Sequence, residues 1–305
     1  MMEEQVFTVE EAGMRTDAWL AEHTDLSRSR IKELCQEGRV RVNGRAAKAS
    51  LKLEAKDEVF IEIPEEEPMD ALPENIPLDI LYEDSDIIVV NKPKGMVVHP
   101  AAGVHSGTLV NALLYHCRDL SGINGVLRPG IVHRIDKDTT GCIVACKNDN
   151  AHRRVAEQIA DKTCHREYMA VVDGILEHND GVIDAPIGRD RRDRKRMAVT
   201  EINSKPARTH FTVRERFDAH TLAECRLETG RTHQIRVHMK YIHHPVTGDP
   251  VYGSPCTLMD TMGQVLHAYK LSLIHPSTGR QMTFTSPLPD YFEELLELLR
   301  REEHG

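Results

Sequence analysis

The stretch HRIDKDTTG, residues 133–141, sets Asp136 and Asp138 among cations, directly after the apolar run Gly130–Val132. The surrounding sequence predicts two short apolar strands, RPGIVHRID and TTGCIVACK, separated by a polar turn that carries Asp136. A surface loop can carry such residues freely, but a carboxylate at the end of a buried strand usually has a function. Asp136 is therefore the first candidate for a catalytic residue.

Composition narrows the class of protein. A chain of 305 residues predicts about two domains, and 40% hydrophobic with 29% charged residues is ordinary for a globular protein. The start, MMEEQVFTVE, lacks the features of a secretory signal, and no run of about 18 apolar residues predicts a membrane span. Seven cysteines without a C-x-x-C pair predict free thiols and a cytoplasmic location.

An acidic, proline-rich stretch divides the chain. Residues 62–77, EIPEEEPMDALPENIP, contain six acids, no base and four prolines. That composition predicts an extended, self-repelling linker. We therefore expect a small domain over residues 13–64, a linker over 65–77 and a catalytic-sized domain over 78–300.

The small domain carries a basic surface within an acidic protein. Between residues 28 and 48 two acids accompany seven bases: Arg28, Arg30, Lys32, Arg39, Arg41, Arg45 and Lys48. The formal net charge of −9 argues mildly against a nucleic-acid partner, but a global average can hide a local basic face. This excess of bases predicts a surface that binds phosphates, and the alternative is an ordinary solvated surface.

Local patterns in the small domain predict a helix and a hairpin. Ser27 is typical of a helix start and Gly38 of a helix end, and the inner face of that helix would carry Ile31, Leu34 and Cys35. RVRVNGR predicts a strand and an Asn-Gly turn. The segments RTDAWLAEH, LSRSRIKELCQEGRVRVNG and LEAKDEVFIEI resemble the small αL-type RNA-binding domain named after ribosomal small-subunit protein four. The resemblance implies binding to structured RNA.

The large domain alternates strand and helix patterns, which predict an α+β fold with a mixed sheet. TLVNALLYH and AHRRVAEQIA have helical spacing, REYMAVV is typical of a strand, and LETGRTHQIRVHMKY predicts a strand, a turn and a helix. The C-terminal YFEELLELLRREEHG predicts an amphipathic helix that docks on the domain.

Most familiar catalytic motifs are absent from the sequence. It has no phosphate-binding loop, dinucleotide fingerprint, zinc-protease motif or serine nucleophile elbow. His233 and His238 are five residues apart, which places them on different helix faces, so no metal site is predicted. What remains is Asp136, with Arg134 two residues away and Arg236 as a distant charge partner. An aspartate that neighbouring arginine keeps ionised can act as nucleophile or base, and the alternative is a structural ion pair.

Seven motifs, in order along the chain, resemble the RluA-type family of pseudouridine synthases, nearest its RluD branch. They are NKPKGMVVHP, SGTLVNALL, RPGIVHRIDKDTTG, REYMAVVDG, LETGRTHQIRVHM, HPVTGDPVYG and LHAYKLSLIHP. The resemblance runs from about Asp84 to Pro287. It implies the pseudouridine synthase fold, a mixed and largely antiparallel sheet flanked by helices and loops.

The same resemblance implies roles for individual residues. The family's catalytic aspartate falls on Asp136, the tyrosine that lies against the target base on Tyr168, and the basic partner of the aspartate on Arg236. The arginine that fills the gap left by the flipped base falls on Arg134. Three further residues are implied as substrate contacts: His133, Thr140 and Arg231.

The implied reaction is isomerisation of uridine to pseudouridine within RNA, with no metal or cofactor. The bond from the sugar to the base nitrogen breaks, the uracil rotates, and its carbon 5 is joined to the sugar. Asp136 would attack the anomeric carbon or remove a proton from the sugar, and the sequence leaves both open. The resemblance favours large-subunit ribosomal RNA as the partner, with transfer RNA as the alternative, and we expect a monomer.

A second basic segment and two rival functions complete the hypotheses. Residues 188–196, GRDRRDRKR, predict a segment without fixed structure that binds RNA phosphates, or else a solvated loop. Its bases are Arg189, Arg191, Arg192, Arg194, Lys195 and Arg196. One rival is a non-catalytic RNA-binding or ribosome-assembly factor. The other is a glycoside or nucleoside hydrolase, which would need a second carboxylate in a partner motif that the sequence lacks.

Overall fold

The structure, a computed structural model, describes residues 3–24, 26, 28–63, 71–101, 104–117, 119–123, 129–191, 193 and 196–302. The chain divides into two compact units, Met1–Pro68 and Met69–Gly305. Within these described ranges, no helix has both the length and the apolar character needed to cross a membrane.

The smaller unit combines two helices with a four-stranded antiparallel sheet among its described residues. Its elements are β1 (Glu3–Thr8), α1 (Thr16–His23), α2 (Arg28–Gln36), β2 (Val40–Val42), β3 (Arg45–Ala46) and β4 (Glu58–Ile63). The strand order is β1-β4-β2-β3. β1 precedes residue 13, the predicted first residue of this domain. Its pattern is weak because it is an edge strand with Val6 exposed to solvent and only Phe7 packed on the core.

The predicted helix and hairpin of the smaller unit are both present. α2 turns Ile31 and Leu34 into the core, where both side chains are fully buried. Ser27, predicted as its cap, lies outside the described residues. Asn43 and Gly44 have φ values of 49° and 78°, the combination that a type I′ hairpin turn requires, and β2 and β3 pair across this turn.

The larger unit is built on one twisted, mixed sheet. Its strands are β5 (Ile80–Glu83), β6 (Ile87–Lys92), β7 (Thr140–Cys146), β8 (His165–Asp173), β9 (Asp180–Asp184), β10 (Ile187–Arg189), β11 (Met197–Val199), β12 (Arg208–Arg216), β13 (His220–Leu227), β14 (Leu266–Ile274) and β15 (Gln281–Thr285). Its helices are α3 (Leu109–His116), α4 (Asp149–Ala160), α5 (Gln234–Tyr241) and α6 (Asp290–Glu302).

Nine of the described strands form the main sheet, in the order β5-β6-β7-β14-β8-β13-β12-β9 with β15 paired to β14. Among the described pairs only β7 and β14 run parallel, so the prediction of a mixed, largely antiparallel sheet in an α+β fold is confirmed. β10 and β11 form a separate hairpin.

Core residues lie on both faces of this sheet. In β7, which is buried throughout, Ile143 and Ala145 pack with α3 and α5, whereas Val144 and Cys146 pack with α4. The C-terminal helix α6 docks through Phe292 and three leucines, as predicted. Helices on both sides therefore hold the central strands in fixed positions, and the candidate site is built at their ends.

Glycine is required where the parallel strands meet. Gly141 at the start of β7 has φ of 108°, and a Cβ added to it would lie 2.3 Å from the carbonyl oxygen of Ala268 in β14. Only a residue without a side chain permits this approach. Strand packing therefore explains why the opening stretch ends in glycine.

Part of the predicted linker has fixed contacts with the larger unit. Residues 64–70 lie outside the described residues, but residues 71–77 are packed on the larger unit. The N–H of Glu74 donates to the carbonyl of Asn111 at 2.9 Å, and the Asn111 side chain donates to the carbonyl of Leu72 at 2.7 Å. These hydrogen bonds with α3 hold the second half of the stretch in place.

Candidate active site

Asp136 lies at the end of an extended segment within RPGIVHRID, whose sequence pattern predicts a strand. In the described structure this segment joins the sheet only through an isolated bridge between Ile131 and Ala145, so it is not a regular strand. The alternation of an extended chain is nevertheless kept, with Ile135 buried, Arg134 exposed and Asp136 half-buried. Arg134 and Asp136 therefore lie on the same side of the segment, as their spacing predicts.

A buried lysine fixes the turn that follows Asp136. Lys92, at the end of β6, is fully buried, and its Nζ donates to the carbonyls of Pro93, Met96 and Lys137 at 2.8–2.9 Å. Burial lowers the pKa of Lys92 to about 7, against the opposing attraction of nearby carboxylates. This side chain ties the NKPKG turn to the segment that carries Asp136.

Arg236 joins Asp136 to a second carboxylate. Its Nη1 donates to Oδ2 of Asp136 at 2.9 Å, while its Nε and Nη2 donate to the two oxygens of Asp249 at 2.6 and 2.9 Å. The Asp249 side chain is fully buried, and that of Asp136 is 16% exposed. The guanidinium is thus held from behind by a bidentate pair and presents its remaining edge to Asp136.

Backbone donors hold Asp249 in turn. The N–H groups of Val251 and Tyr252 donate to its Oδ1 at 2.9 and 3.1 Å. Burial favours the neutral acid, but the hydrogen bond and charge of Arg236 outweigh it and keep the pKa of Asp249 below its usual range. Burial likewise opposes the charge of Arg236, but Asp249 and Asp136 together raise its pKa. Both groups are therefore ionised at neutral pH.

Tyr168 lies in β8 and belongs to the main apolar core, with 5% of its surface exposed. Burial raises its pKa to about 12, so the phenol stays neutral at physiological pH. The ring is therefore neutral, held by core packing, and part of the wall of a cleft.

Asp136, Tyr168 and Arg236 line one cleft of about 970 Å³. Among the residues that the structure describes in its wall, two are acids, Asp136 and Glu228. Five are cations: Arg134, Lys162, Arg166, Arg231 and Arg236. The excess of positive charge suits a polyanionic substrate.

Comparisons with known proteins agree with this geometry. Residues 86–241 match the RNA pseudouridylate synthase family and residues 14–59 match the S4 domain. The chain belongs to the RNA pseudouridylate synthase family. It is therefore an isomerase that acts on RNA and carries an S4 RNA-binding domain, as the two resemblances predict.

Relatives of the synthase match over nearly its whole length. It is 55% identical, over 96% of both chains, to "Uncharacterized RNA pseudouridine synthase YlyB" of Bacillus subtilis. It is 46% identical to "Ribosomal large subunit pseudouridine synthase D" of Neisseria meningitidis, over 96% of this chain and 81% of the relative. The solved structure of human RNA pseudouridylate synthase domain containing 1 shares the fold, with a TM-score of 0.57 and 23% identity over 74% of this chain and 96% of that one.

Three further predicted contact residues of the synthase lie at the cleft. Arg134 approaches Nε2 of His99 through Nη1 at 3.5 Å, and Nε of Arg231 donates to the carbonyl of Pro206 at 2.9 Å. His133 is buried, and burial together with the charge of Arg166 lowers its pKa to about 3. This histidine is therefore neutral.

Thr140, predicted as a substrate contact, is not part of the described cleft wall. Its side chain is buried, and its Oγ1 lies 2.7 Å from Nδ1 of His267 and 3.4 Å from the hydroxyl of Tyr291. The preceding residue, Thr139, lines the cleft instead. The reason is that β7 begins at Thr140, whose side chain points into the packing between β14 and α6.

Sequence reasoning missed two groups that organise the site. Asp249 lies in HPVTGDPVYG, a motif used for recognition without a role for its carboxylate. His233 directly precedes α5 and has φ of 56°. Its Nδ1 is hydrogen-bonded to the Tyr252 hydroxyl at 2.8 Å, and its Nε2 lies 3.9 Å from Oδ1 of Asp136. The GRTHQIR motif could have indicated His233, because this histidine lies in it together with Arg231 and Arg236.

The basic surface of the S4 domain is partly neutralised by acids. Arg28 and Lys32 both approach the buried carboxylate of Asp17, at 3.4 and 3.9 Å. Arg39 pairs with Glu37 at 3.1 Å and also with Glu62. The remaining predicted RNA-binding residues are Arg41 and Arg45, which are exposed, and Arg30, whose side chain lies outside the described structure.

The second basic segment is described only in part. Arg192, Arg194 and Lys195 lie outside the described residues, and Arg191 is exposed. Arg196 is packed on the catalytic domain, where its Nη2 donates to the carbonyl of Val251 and its guanidinium lies 5.4 Å from the centre of the Tyr252 ring. A fixed Arg196 differs from the prediction of a wholly unstructured segment, because Tyr252 offers it a packing surface.

Two groups of side chains in the described structure have the spacing of metal ligands. They are Glu83, His116 and Cys117, and Asp84, Asp86 and His275. Neither group lines the cleft. Hydrogen bonds within the protein account for their closeness: His116 contacts Glu83 at 2.8 Å and His275 contacts Asp84 at 2.7 Å.

Proposed function

We propose that this synthase isomerises specific uridines in large-subunit ribosomal RNA, with Asp136 as the catalytic carboxylate. The observation that carries this proposal is the placement of Asp136, held by Arg236, beside Tyr168 in a cation-lined cleft. Several relatives that match nearly the whole chain are named ribosomal large subunit pseudouridine synthase D, which supports ribosomal RNA over transfer RNA.

Asp136 acts on the sugar of the target nucleotide. Its carboxylate attacks the anomeric carbon or removes a proton from the sugar, and in either case the bond to nitrogen 1 breaks. The uracil then rotates and its carbon 5 bonds to the anomeric carbon, which breaks the bond to Asp136 in the first route and is accompanied by return of the sugar proton in the second. Carbon 5 then loses its proton, and nitrogen 1 gains one. Arg236 holds the carboxylate in position, because Asp249 leaves the guanidinium little freedom to turn away.

The target base has to leave its stack to reach Asp136, which costs a few kcal/mol. Tyr168 offsets part of this cost by offering a rigid aromatic face to the uracil. Arg134, exposed on the same side of the segment as Asp136, inserts into the space that the base vacates. His133 and Arg231 complete the contacts to the nucleotide.

The S4 domain, over residues 13–64, supplies affinity for structured RNA. Arg41, Arg45 and the cations around Asp17 contact phosphates, as does the basic segment 188–196. Residues 78–300 form the catalytic domain. The enzyme acts as a monomer, since a single chain places Asp136, Tyr168 and Arg236 in one cleft. It acts in the cytoplasm.

The test is isomerisation of defined RNA. Unmodified large-subunit ribosomal RNA and a pool of unmodified transfer RNA, both labelled with tritium at carbon 5 of uridine, are incubated with the enzyme. We expect tritium release from ribosomal RNA, at a few discrete positions that are unmodified in cells lacking the protein. Release from transfer RNA alone would overturn the assigned substrate, and release from neither would leave RNA binding without catalysis.

A further inference from the structure

Arg166 is a buried cation without a compensating group. The residue is 6% exposed, and its Nε is enclosed and has no hydrogen-bond partner. In the part of the chain that the structure describes, no carboxylate lies within ion-pair distance of its guanidinium. Burying an unpaired charge is unfavourable, so buried guanidinium groups are normally paired. Arg236, equally buried in the same cleft, follows that rule with two carboxylates.

The nearby acids are all engaged elsewhere. Glu167, the next residue in β8, points to the opposite face of the sheet, where it contacts Tyr269 and Lys270 at 2.9 Å. Glu228 lines the cleft but is held by Lys162 at 3.0 Å and by His210. In the part of the chain that is described, the charge of Arg166 therefore has no carboxylate partner, and a bound anion would compensate it.

The position of Arg166 ties it to the reaction. It precedes Tyr168 by two residues in β8, so both side chains lie on the same face of the strand, about 7 Å apart along it. Both line the cleft with Asp136. The guanidinium lies against Gly230, where an added Cβ would be 2.8 Å from Nη1.

A second donor without a partner lies close by. The backbone N–H of Val144 donates to Nε2 of His133 at 3.2 Å, so the proton of this neutral ring is on Nδ1. That Nδ1 is buried and has no hydrogen-bond partner in the described structure. Two buried donors on residues of the cleft wall, one of them charged, are complementary to an anion that brings several acceptor oxygens.

We propose that Arg166 binds a backbone phosphate of the target nucleotide while its base lies against Tyr168. The inference rests on the proposed seating of the uridine beside Asp136, and it assigns Arg166 a substrate-binding role. A neutral acceptor such as a uracil carbonyl would satisfy a hydrogen bond but would leave the charge uncompensated, so the phosphate is favoured. The separation between Arg166 and Tyr168 is one that a single nucleotide spans from base to phosphate.

The experiment measures by calorimetry the affinity of the full chain for three probes: uridine, uridine 5′-monophosphate and uridine 3′-monophosphate. We expect the wild-type protein to bind one monophosphate roughly tenfold to a hundredfold more tightly than uridine, as for a charge-assisted hydrogen bond. The tighter probe identifies which phosphate is bound. Arg166→Gln should reduce this preference to within about twofold, Arg166→Lys should keep part of it, and the exposed Arg153→Gln in α4 should leave it unchanged.

Stability provides an independent measurement. Because Arg166 is unpaired without RNA, Arg166→Gln should melt at an equal or higher temperature than wild type, although it binds nucleotide less tightly. A purely structural arginine would give the opposite result, a lower melting temperature with an unchanged phosphate preference.

Two outcomes would overturn the inference: a wild-type protein that binds neither monophosphate more tightly than uridine, or Arg166→Gln with its preference intact. Tritium release from ribosomal RNA, measured on the same wild-type preparation, keeps this failure separate from failure of the proposed function. An enzyme that is active on ribosomal RNA but shows no phosphate preference would refute the role of Arg166 alone. A preference that depends on Arg166, without activity on that RNA, would refute the assigned RNA alone.

Discussion

Arg236 and Asp136 are 100 residues apart in the chain, yet Nη1 of the arginine lies 2.9 Å from Oδ2 of the aspartate. The same guanidinium is clamped by the fully buried Asp249. One cation therefore serves two carboxylates of different exposure, and only the more exposed one faces the cleft. This division separates a structural acid from the proposed catalytic one and leads to the first three predictions.

Asp136→Asn should abolish isomerisation while leaving affinity for RNA within a few-fold of wild type. The substitution keeps the shape of the side chain but removes the charge that attacks or deprotonates the sugar. Single-turnover tritium release with saturating RNA, combined with filter binding, measures both quantities. Asp138→Asn, in the same turn, is the matched control and should retain most activity. Turnover by Asp136→Asn at a rate close to wild type would exclude this carboxylate from the chemistry.

Arg236→Ala should impair both turnover and stability. It leaves Asp249 buried without a partner, and breaking a buried pair costs about 3–5 kcal/mol. It also releases Asp136 from its fixed position. Urea unfolding measures the first effect, and single-turnover rates below the unfolding transition measure the second. Arg236→Lys keeps a charge without the bidentate geometry and should restore stability more than rate. A folded Arg236→Ala protein with wild-type turnover would rule out the pairing as a catalytic requirement.

Asp249→Asn tests positioning at a distance from the substrate. The amide places a donor against the guanidinium, so Arg236 loses its alignment although Asp136 is untouched. A displacement of about 1 Å in a catalytic group can lower the rate by about 100-fold, and we expect a loss of that order in single-turnover rate with affinity for RNA little changed. Equal losses of rate and affinity would instead indicate general disruption of the domain.

Lys92 should make stability depend on pH in an unusual direction. Its pKa is lowered to about 7 in the folded protein, from an ordinary value near 10.5, so between these values the unfolded chain binds more protons than the folded one. The contribution of Lys92 to stability therefore rises as the pH increases through this window. Urea unfolding at pH 7 and pH 9 should show that the stability difference between wild type and Lys92→Met grows with pH. A difference independent of pH would mean that the amine titrates normally.

Deletion of residues 1–68 should separate RNA affinity from chemistry. The cut is placed before Leu72 and Glu74, since both are hydrogen-bonded to Asn111 in the catalytic unit. The truncated enzyme should bind its large RNA more weakly. The slope of log affinity against log salt should become shallower by about one for each phosphate that the S4 domain no longer neutralises.

Single-turnover isomerisation by this truncated enzyme at saturating RNA should survive, because Asp136, Tyr168 and Arg236 all lie in the larger unit. Unchanged affinity and salt slope would mean that the S4 domain does not bind this RNA. A folded but inactive truncation would mean that the S4 domain shapes the active site.

Local sequence patterns were sufficient for most secondary structure. The Asn43-Gly44 turn, the capped helix α3 and the helix α5 after LETGRTH follow from short-range preferences that tertiary contacts do not oppose. Such patterns do not reveal β1, whose edge position exposes one of its few apolar residues, or the packing of residues 71–77, which depends on distant Asn111. The segment before Asp136 has the alternation of a strand, but among the described residues it pairs only through the isolated bridge between Ile131 and Ala145.

The sequence by itself determined the family, the two domains that carry it, and Asp136, Tyr168 and Arg236 as candidates, since motifs and composition are properties of the chain alone. Only the tertiary structure decided which groups meet. It placed Asp249 behind Arg236, put Thr140 outside the described cleft wall and left Nε of Arg166 buried with no hydrogen-bond partner among the described residues. The physical reason is that pairing and burial depend on distances between residues far apart in sequence, which no local pattern encodes.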